Sequence, residues 1–241
     1  MFKSIQKPFR TIRKELGLKP VQDYLSEMEG DYNLLCDSEF IFPVKRLPGN
    51  YKVIGPLYFK NDYEETEING WLKEKGRKNI LINMGSTGDC SILDVLKSEL
   101  FNEYSFVVTG RNIPGLSSDN FFCKTFINNI SILKNIDLLI CHGGNGTLYQ
   151  ALAYGVPVLC IPSLFEQEYN IDRIKALGLG DEIISGTTND NLLEIIRLWL
   201  SKKQNDKLVT DKIEMKESLI RESFLEAIEY FGRRKLNNRS C

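Results

Sequence analysis

The sequence predicts an α/β fold in which a parallel β-sheet carries helices on both faces. From residue 79 onwards, short apolar runs typical of buried strands alternate with helical segments, and the loops between them are short. One of these runs passes directly into a helix through the glycine-rich turn at 138–147. In sheets of this kind, ligands bind at the carboxyl ends of the strands.

The amino-terminal segment predicts two helices, a strand and a connector. Residues 2–16 place apolar side chains at helical spacing, with lysine and arginine elsewhere around the helix. Such a helix either packs on a domain or contacts a membrane surface or a partner protein. A second short helix and a strand are predicted at 21–28 and 32–36. A connector with several Pro and Gly residues follows and marks a domain boundary.

The boundary divides the chain into residues 1–60 and residues 61–241, and the second part has the regular pattern. Strands are predicted at 79–83, 105–109, 121–125, 137–141 and 157–161. Helices are predicted at 91–102, 130–135, 146–154, 166–177 and 189–202. The highly charged stretch 208–236 is predicted to be mostly helical.

Composition and charge argue against several classes of function. The 241 residues are 42% hydrophobic, which suffices for a sizeable core, and a formal net charge of −1 gives no general affinity for nucleic acid. No apolar run approaches the roughly 18 residues of a transmembrane helix, and a signal-peptide core is absent. The six cysteines form no CxxC pair, so we interpret them as reduced, which predicts a cytoplasmic location and disfavours a zinc site.

The turn that follows the strand at 137–141 carries the strongest functional signal. Its glycines let the backbone approach an anion without an intervening Cβ atom. The unpaired N–H groups and the dipole of the next helix attract negative charge. The Asn and Thr of the turn can cap the helix or donate hydrogen bonds to phosphate, and the only histidine of the chain stands beside them. A plain strand-to-helix junction is the alternative. The residues concerned are His142, Gly143, Gly144, Asn145, Gly146 and Thr147.

A wider set of residues follows this turn at fixed spacings. The set comprises Ala151-Leu152, Gly155-Val156-Pro157, Pro162, Glu166-Gln167, Asn170 and Arg173. Together with the turn it resembles the nucleotide-sugar signature of the UDP-dependent glycosyltransferase superfamily, which includes the glucuronosyltransferases and the plant and macrolide glycosyltransferases. The similarity extends upstream to the Gly-Ser turn at 83–86 and a base-packing segment at 126–129. It covers most of this chain and corresponds to the second half of a full-length member.

The resemblance implies an architecture and a role for each matching residue. The architecture is the C-terminal, donor-binding domain of a GT-B fold in residues 61–241, preceded by a remnant of the acceptor domain and a linker in residues 1–60. Contact with the diphosphate is implied for His142, Gly144, Asn145, Gly146, Thr147 and Ser86. Contact with the nucleoside is implied for Phe126, Ile127 and Gln150, and contact with the donor sugar for Glu166 and Gln167.

Two positions depart from the family pattern. Gln150 stands where the family commonly has a carboxylate that holds the ribose, and Asn128-Asn129 replace a Pro–Gln pair in the base-packing segment. The first change weakens the ribose contact, because an amide accepts a hydroxyl hydrogen bond less strongly than a carboxylate. The second change replaces the residues that pack on uracil in the family, so the resemblance does not extend to selectivity for uracil.

The activity implied is inverting transfer of a hexosyl unit from a UDP-sugar to a small-molecule or lipid acceptor, with no metal or other cofactor. No catalytic residue is assigned in this chain, since the family's general base lies in the amino-terminal domain and His142 is assigned to the diphosphate. We expect the chain alone to bind the donor weakly and to transfer sugar poorly. Three alternatives stay open: the donor-binding subunit of a split enzyme, which docks through the face of residues 2–16; a non-catalytic nucleotide-sugar-binding protein; and a sugar-nucleotide epimerase.

Overall fold

The structure is a computed structural model that describes residues 2–21, 23–85, 88–110, 118–202 and 207–237. The helices are α1 Phe2–Glu15, α2 Tyr24–Met28, α3 Thr66–Lys75, α4 Ile92–Leu96, α5 Asn129–Leu133, α6 Asn145–Ala153, α7 Phe165–Ala176, α8 Asn189–Ser201, α9 Lys207–Ile213 and α10 Glu217–Asn237. A 3₁₀ turn spans Glu99–Phe101. The strands are β1 Asn33–Leu35, β2 Tyr51–Val53, β3 Lys78–Asn83, β4 Tyr104–Thr109, β5 Phe121–Lys124, β6 Leu138–Cys141, β7 Val158–Cys160 and β8 Gly180–Glu182.

The chain divides into two compact units. The first unit contains Met1–Cys36, Val44–Ile54 and Glu217–Cys241, and the second contains Asp37–Pro43 and Gly55–Lys216. These boundaries differ from the single division after residue 60 that the sequence predicts, because both units are built from separate stretches of chain. The assignment of residues 1–60 to a remnant of an acceptor domain stays a prediction.

The first unit combines α1, α2 and α10 with a short parallel pair, β1 and β2. Glu27 of α2 holds α1 in place, since it accepts hydrogen bonds from Gln6 at 3.0 Å and from Arg13 at 2.6 Å. The helix predicted at 2–16 and the strand at 32–36 are therefore present with slightly shorter bounds. Strand β2 is not predicted from the sequence, because its three residues lie in the connector with its Pro and Gly residues.

The second unit contains a six-stranded parallel sheet in the order β5-β4-β3-β6-β7-β8. Its strand order reverses between β3 and β6, since the chain first builds outwards from β3 to β5 and then returns to the other side of β3. This is the arrangement in which doubly wound folds bind ligands beside the central pair of strands. The predicted parallel sheet is confirmed.

Side chains along the strands alternate between two apolar layers, one on each face of the sheet. On one face, Leu81, Val107 and Leu139 pack in a core with residues of α3, α5, α6 and α7. On the other face, Ile82 and Ile140 pack with residues of α4 and α8. The predicted covering of both sheet faces by helices is therefore confirmed.

Three elements of the second unit differ from the sequence prediction. The helix predicted at 91–102 is interrupted because Ser98 adopts an extended backbone, so α4 ends at Leu96 and a 3₁₀ turn follows. The acidic connector continues into α3, which buries Ile68 and Leu72 one turn apart. Strand β8 is missed because it is short and polar. Among the described residues, no helix combines the length and the apolar character needed to span a membrane.

Candidate functional site

The candidate site lies where the carboxyl ends of the central strands meet. The parallel register places Asn83 at the end of β3 beside Cys141 at the end of β6 and beside Thr109 at the end of β4. The turns that follow β3 and β6 therefore face each other across the sheet edge. One turn contains Gly85, and the other begins with His142.

The turn after β6 leads directly into the N-terminus of α6. Gly144 is the N-cap residue of this helix and has an extended backbone, and as a glycine it provides no side-chain capping hydrogen bond. The backbone N–H of Leu148 donates to the Gly144 carbonyl at 3.1 Å, so the N–H groups of the first turn have no acceptor within the helix. None of the residues that form that turn is acidic. An anion can accept hydrogen bonds from these N–H groups and gains from the helix dipole.

The glycine turn itself is held by a buried amide from α7. Gly143 has a φ of 92°, in the left-handed region that side chains other than glycine rarely adopt. Asn170 donates to the Gly143 carbonyl at 3.0 Å from a buried position. This hydrogen bond fixes the direction of the turn before α6 begins.

The ring of His142 packs between two glycines. A Cβ atom on Gly85 would lie 2.7 Å from the ring, and one on Gly144 would lie 2.6 Å from Nε2, so neither position accommodates a side chain beside this ring. Nδ1 is buried and makes no hydrogen bond within the described chain, which leaves Nε2 as the nitrogen available to a ligand. The histidine that the sequence places beside the glycines therefore lies in close contact with one glycine of each turn, Gly85 and Gly144.

Burial lowers the pKa of His142, because a desolvated ring disfavours the charged imidazolium. The backbone of Asn83 and the negative charge of Glu166 partly oppose this shift. His142 is therefore neutral near pH 7 and can donate one N–H to a phosphate oxygen, and Glu166 lies close enough to influence it.

A cavity of about 650 Å³ opens beside this turn, a volume typical of small-ligand sites. Five of the residues predicted from the sequence line it: Phe126, Ile127, Gly146, Thr147 and Gln150. The lining also includes Phe59, Asn83, Gly85, Thr109, Gly110, Thr125 and Asn129. A Cβ atom at Gly146 would meet no protein atom within 4 Å, so this glycine leaves open space at the head of α6. The structure thus places the helix N-terminus and the Phe126 ring on the same cavity.

Other predicted residues have contacts inside the protein. The side chain of Asn145 donates to Asp37 at 3.1 Å. Gln150 accepts from Asn129 at 3.0 Å and donates to the Phe59 carbonyl at 2.7 Å, so both ends of its amide are used.

Gln167 is only 2% exposed, and its Oε1 accepts the backbone N–H groups of Ser163 and Leu164 at the start of α7. Glu166 is exposed next to it. Ser86 lies outside the described residues. The ligand roles of these residues stay predictions.

The site prediction from the sequence omits several lining residues. Thr109 ends β4 and Thr125 follows β5, so the rule that ligands bind at the carboxyl ends of strands could have identified both. Asn129 lies in the base-packing segment that the resemblance implies, but it departs from the family pattern and no ligand contact is implied for it. Phe59 has no sequence signal, because a connector residue reaches the cavity through tertiary structure alone.

Comparison with known proteins identifies the family. Residues 66–224 match the profile of the glycosyltransferase family 28 C-terminal domain. The chain belongs to this family. The resemblance stated from the sequence is thereby confirmed, including the correspondence to a C-terminal half.

Relatives of similar sequence are longer glycosyltransferases. The chain is 28% identical over 180 residues to a PGL/p-HBAD biosynthesis glycosyltransferase of Mycobacterium tuberculosis, covering 72% of this chain and 41% of that protein. It is 26% identical over 181 residues to the NDP-glycosyltransferase YjiC of Bacillus licheniformis, covering 72% and 45%. The chain thus spans somewhat less than half the length of these curated relatives.

Solved structures share the fold. The glycosyltransferase of kitacinnamycin has a TM-score of 0.68 at 19% identity, covering 91% of this chain and 57% of that one. The calicheamicin glycosyltransferase CalG4 has a TM-score of 0.66 at 16% identity, covering 95% and 61%. At these identities the comparison confirms the α/β, Rossmann-like fold of the family.

Proposed function

We propose that this chain binds a UDP-sugar and takes part in the inverting transfer of its hexosyl unit to a small-molecule or lipid acceptor. The observation that carries the proposal is that the uncapped N-terminus of α6 and the exposed ring of Phe126 open onto one cavity. A diphosphate suits the first surface, and the face of a nucleobase suits the second. A nucleoside diphosphate contains both groups.

The proposed reaction is an in-line displacement at the anomeric carbon. An acceptor hydroxyl oxygen forms the new bond to that carbon, the bond from carbon to the β-phosphate oxygen breaks, and the diphosphate leaves with the electron pair. Negative charge grows on the leaving group, where the N–H groups of Asn145, Gly146 and Thr147 and the Nε2–H of His142 stabilise it. The proton of the acceptor hydroxyl goes to a general base on an acceptor domain, which we propose to be a separate or additional domain.

The identity of the nucleotide is part of the proposal. One relative is named an NDP-glycosyltransferase, and a structural neighbour, the spinosyn rhamnosyltransferase SpnG, was solved with thymidine diphosphate. Stacking on Phe126 accepts either pyrimidine, because every base has a π-face. UDP is the nucleotide that we propose, following the resemblance, and dTDP is the competitor to compare with it.

Binding is tested by calorimetric titration of the purified chain with UDP, dTDP and UDP-glucose. Saturable binding of UDP that a Phe126→Leu variant weakens about 5- to 30-fold supports the site. Inorganic pyrophosphate serves as the control ligand, since it lacks a base and should bind both proteins equally. Absence of nucleotide binding, or an unchanged affinity in the variant, contradicts the proposal.

A donor-binding subunit of a split enzyme is the second candidate. The face of α1 supports it, because Ile5, Phe9, Ile12 and Leu16 expose apolar surface at helical spacing. Release of UDP from UDP-glucose, measured with the chain alone and with an added acceptor-domain protein, separates the cases. Turnover only in the mixture supports the split enzyme, and binding without turnover in either supports a non-catalytic nucleotide-sugar-binding protein.

We also propose that donor binding needs no metal, since backbone N–H groups and His142 supply the positive character at the diphosphate. An unchanged UDP affinity in the presence of EDTA supports this, and a loss that Mg²⁺ restores contradicts it. A cytoplasmic location and contact of α1 with a membrane surface stay predictions.

A further inference from the structure

Two phenylalanines line the candidate cavity, and both are largely exposed. Phe126 is 68% exposed and Phe59 is 62% exposed. Neither ring belongs to the apolar core on either face of the sheet. Exposed phenylalanine surface is unfavourable in water, and a planar ligand that covers two such rings recovers that free energy.

The backbone of Phe59 is tied to the cavity by a chain of buried amides. Its carbonyl accepts a hydrogen bond from Nε2 of Gln150 at 2.7 Å, and Oε1 of Gln150 accepts one from Nδ2 of Asn129 at 3.0 Å. Gln150 and Asn129 are both buried and both line the cavity. Phe59 is thus attached to α6 and α5 although it belongs to neither helix.

The residue before Phe59 fixes the segment from the other side. Tyr58 is buried in the core, and its hydroxyl accepts the backbone N–H of Met215 at 3.3 Å. The segment is therefore anchored at two successive residues, while the Phe59 ring stays exposed beside the cavity. A ring on an anchored backbone loses little conformational entropy when it contacts a ligand.

We propose that Phe59 is a second aromatic contact for the nucleobase of the nucleotide, and that Gln150 is the positioning residue that holds it. The proposal rests on the nucleotide site described above and adds to it a residue that the sequence does not predict. It also gives Gln150 a function other than the expected ribose contact, because both ends of its amide are used within the protein. Stacking recognises the face of a base, so Phe59 serves UDP and dTDP equally.

The test compares Phe59→Leu, Phe126→Leu and a control in titrations with UDP, dTDP and pyrophosphate. Tyr63→Leu is the control, since Tyr63 is 63% exposed in the same connector and does not line the cavity. We expect Phe59→Leu to weaken UDP and dTDP by the same factor, about 5- to 30-fold, and to leave pyrophosphate unchanged. The control should bind all three ligands like the unmodified chain.

The role of Gln150 is tested by combining substitutions. If Gln150 acts by positioning Phe59, a Gln150→Leu, Phe59→Leu double variant should bind UDP no more weakly than Phe59→Leu alone. If Gln150 holds the ribose instead, the two losses should multiply, and that result overturns the positioning role.

Two further outcomes separate this inference from the proposed function. An unchanged UDP affinity in Phe59→Leu, together with a weakened one in Phe126→Leu, refutes the second aromatic contact and leaves the nucleotide site intact. Binding of pyrophosphate but of neither nucleotide by the unmodified chain refutes the nucleoside site, and the Phe59 contact with it.

Discussion

Replacing His142 tests the proposed diphosphate contact most directly. In His142→Ala the Nε2–H donor is lost, and a hydrogen bond to a charged acceptor contributes about 1.5–3 kcal/mol. We therefore expect UDP affinity to fall roughly 10- to 150-fold, measured by titration calorimetry at pH 7.5. An affinity within twofold of the unmodified chain would refute the contact.

The pH dependence gives a second, independent test. Burial lowers the pKa of His142, and a bound diphosphate favours the imidazolium, so donor binding is linked to proton uptake by this ring. The affinity for UDP-glucose should rise as the pH falls from about 7.5 to 5.5. UDP-glucose is the appropriate probe because its diphosphate is esterified at both ends, whereas a terminal phosphate titrates near pH 6.

His142→Gln is the matched control, since glutamine keeps an N–H donor and does not titrate. Its affinity for UDP-glucose should not vary with pH over this range. The folded state lowers the pKa of His142, so the free energy of unfolding of the unmodified chain should decrease as the pH falls through about 6.5 towards the folded pKa. His142→Gln should abolish this contribution to the pH dependence of stability. An identical pH dependence of binding in both proteins would show that another group titrates.

Four further substitutions test the cradle, the turn that holds it and the sugar contact. Gly146→Ala adds a Cβ atom to open space, so the melting temperature should stay unchanged or rise while UDP affinity falls about tenfold. Gly144→Ala places a Cβ atom 2.6 Å from the His142 ring and should lower the melting temperature. The opposite pattern would refute the assignment of the open space at Gly146 to the ligand. Glu166→Gln should weaken UDP-glucose more than UDP in calorimetric titrations, since only the sugar loses a carboxylate partner, and equal losses would argue against that contact. Asn170→Ala removes the buried amide that donates to the glycine turn and should lower the free energy of unfolding, measured in urea, by about 1–2 kcal/mol. An unchanged free energy of unfolding would mean that the turn does not depend on this hydrogen bond.

The features that the sequence predicts correctly are those with a local signal. The parallel sheet follows from apolar runs of strand length, and the turn at His142 follows from glycines placed between a strand and a helix. Phe126 and Ile127 are found through a family pattern and do line the cavity. In each case the residues that define the feature are neighbours in the chain.

The features that escape prediction depend on contacts between distant residues. The amide of Gln150 has no signal that it binds the Phe59 carbonyl 91 residues away. The Oε1 of Gln167 is used to cap α7, a role that a glutamine near a helix start does not reveal. Strand β8 is a strand only because β7 pairs with it, since its own sequence, Gly-Asp-Glu, has low strand propensity.

The pairing of β3 with β6 has a consequence for folding kinetics. These neighbours are far apart in the chain, with β4 and β5 built between them, so the two turns that face each other at the site can meet only after a long loop has closed. Nucleotide present during refolding therefore should not accelerate the early steps and should slow unfolding once β6 has docked. A higher nucleotide concentration would then lengthen the lifetime of the native state. The unfolding rate therefore reports whether the two turns of the site have come together.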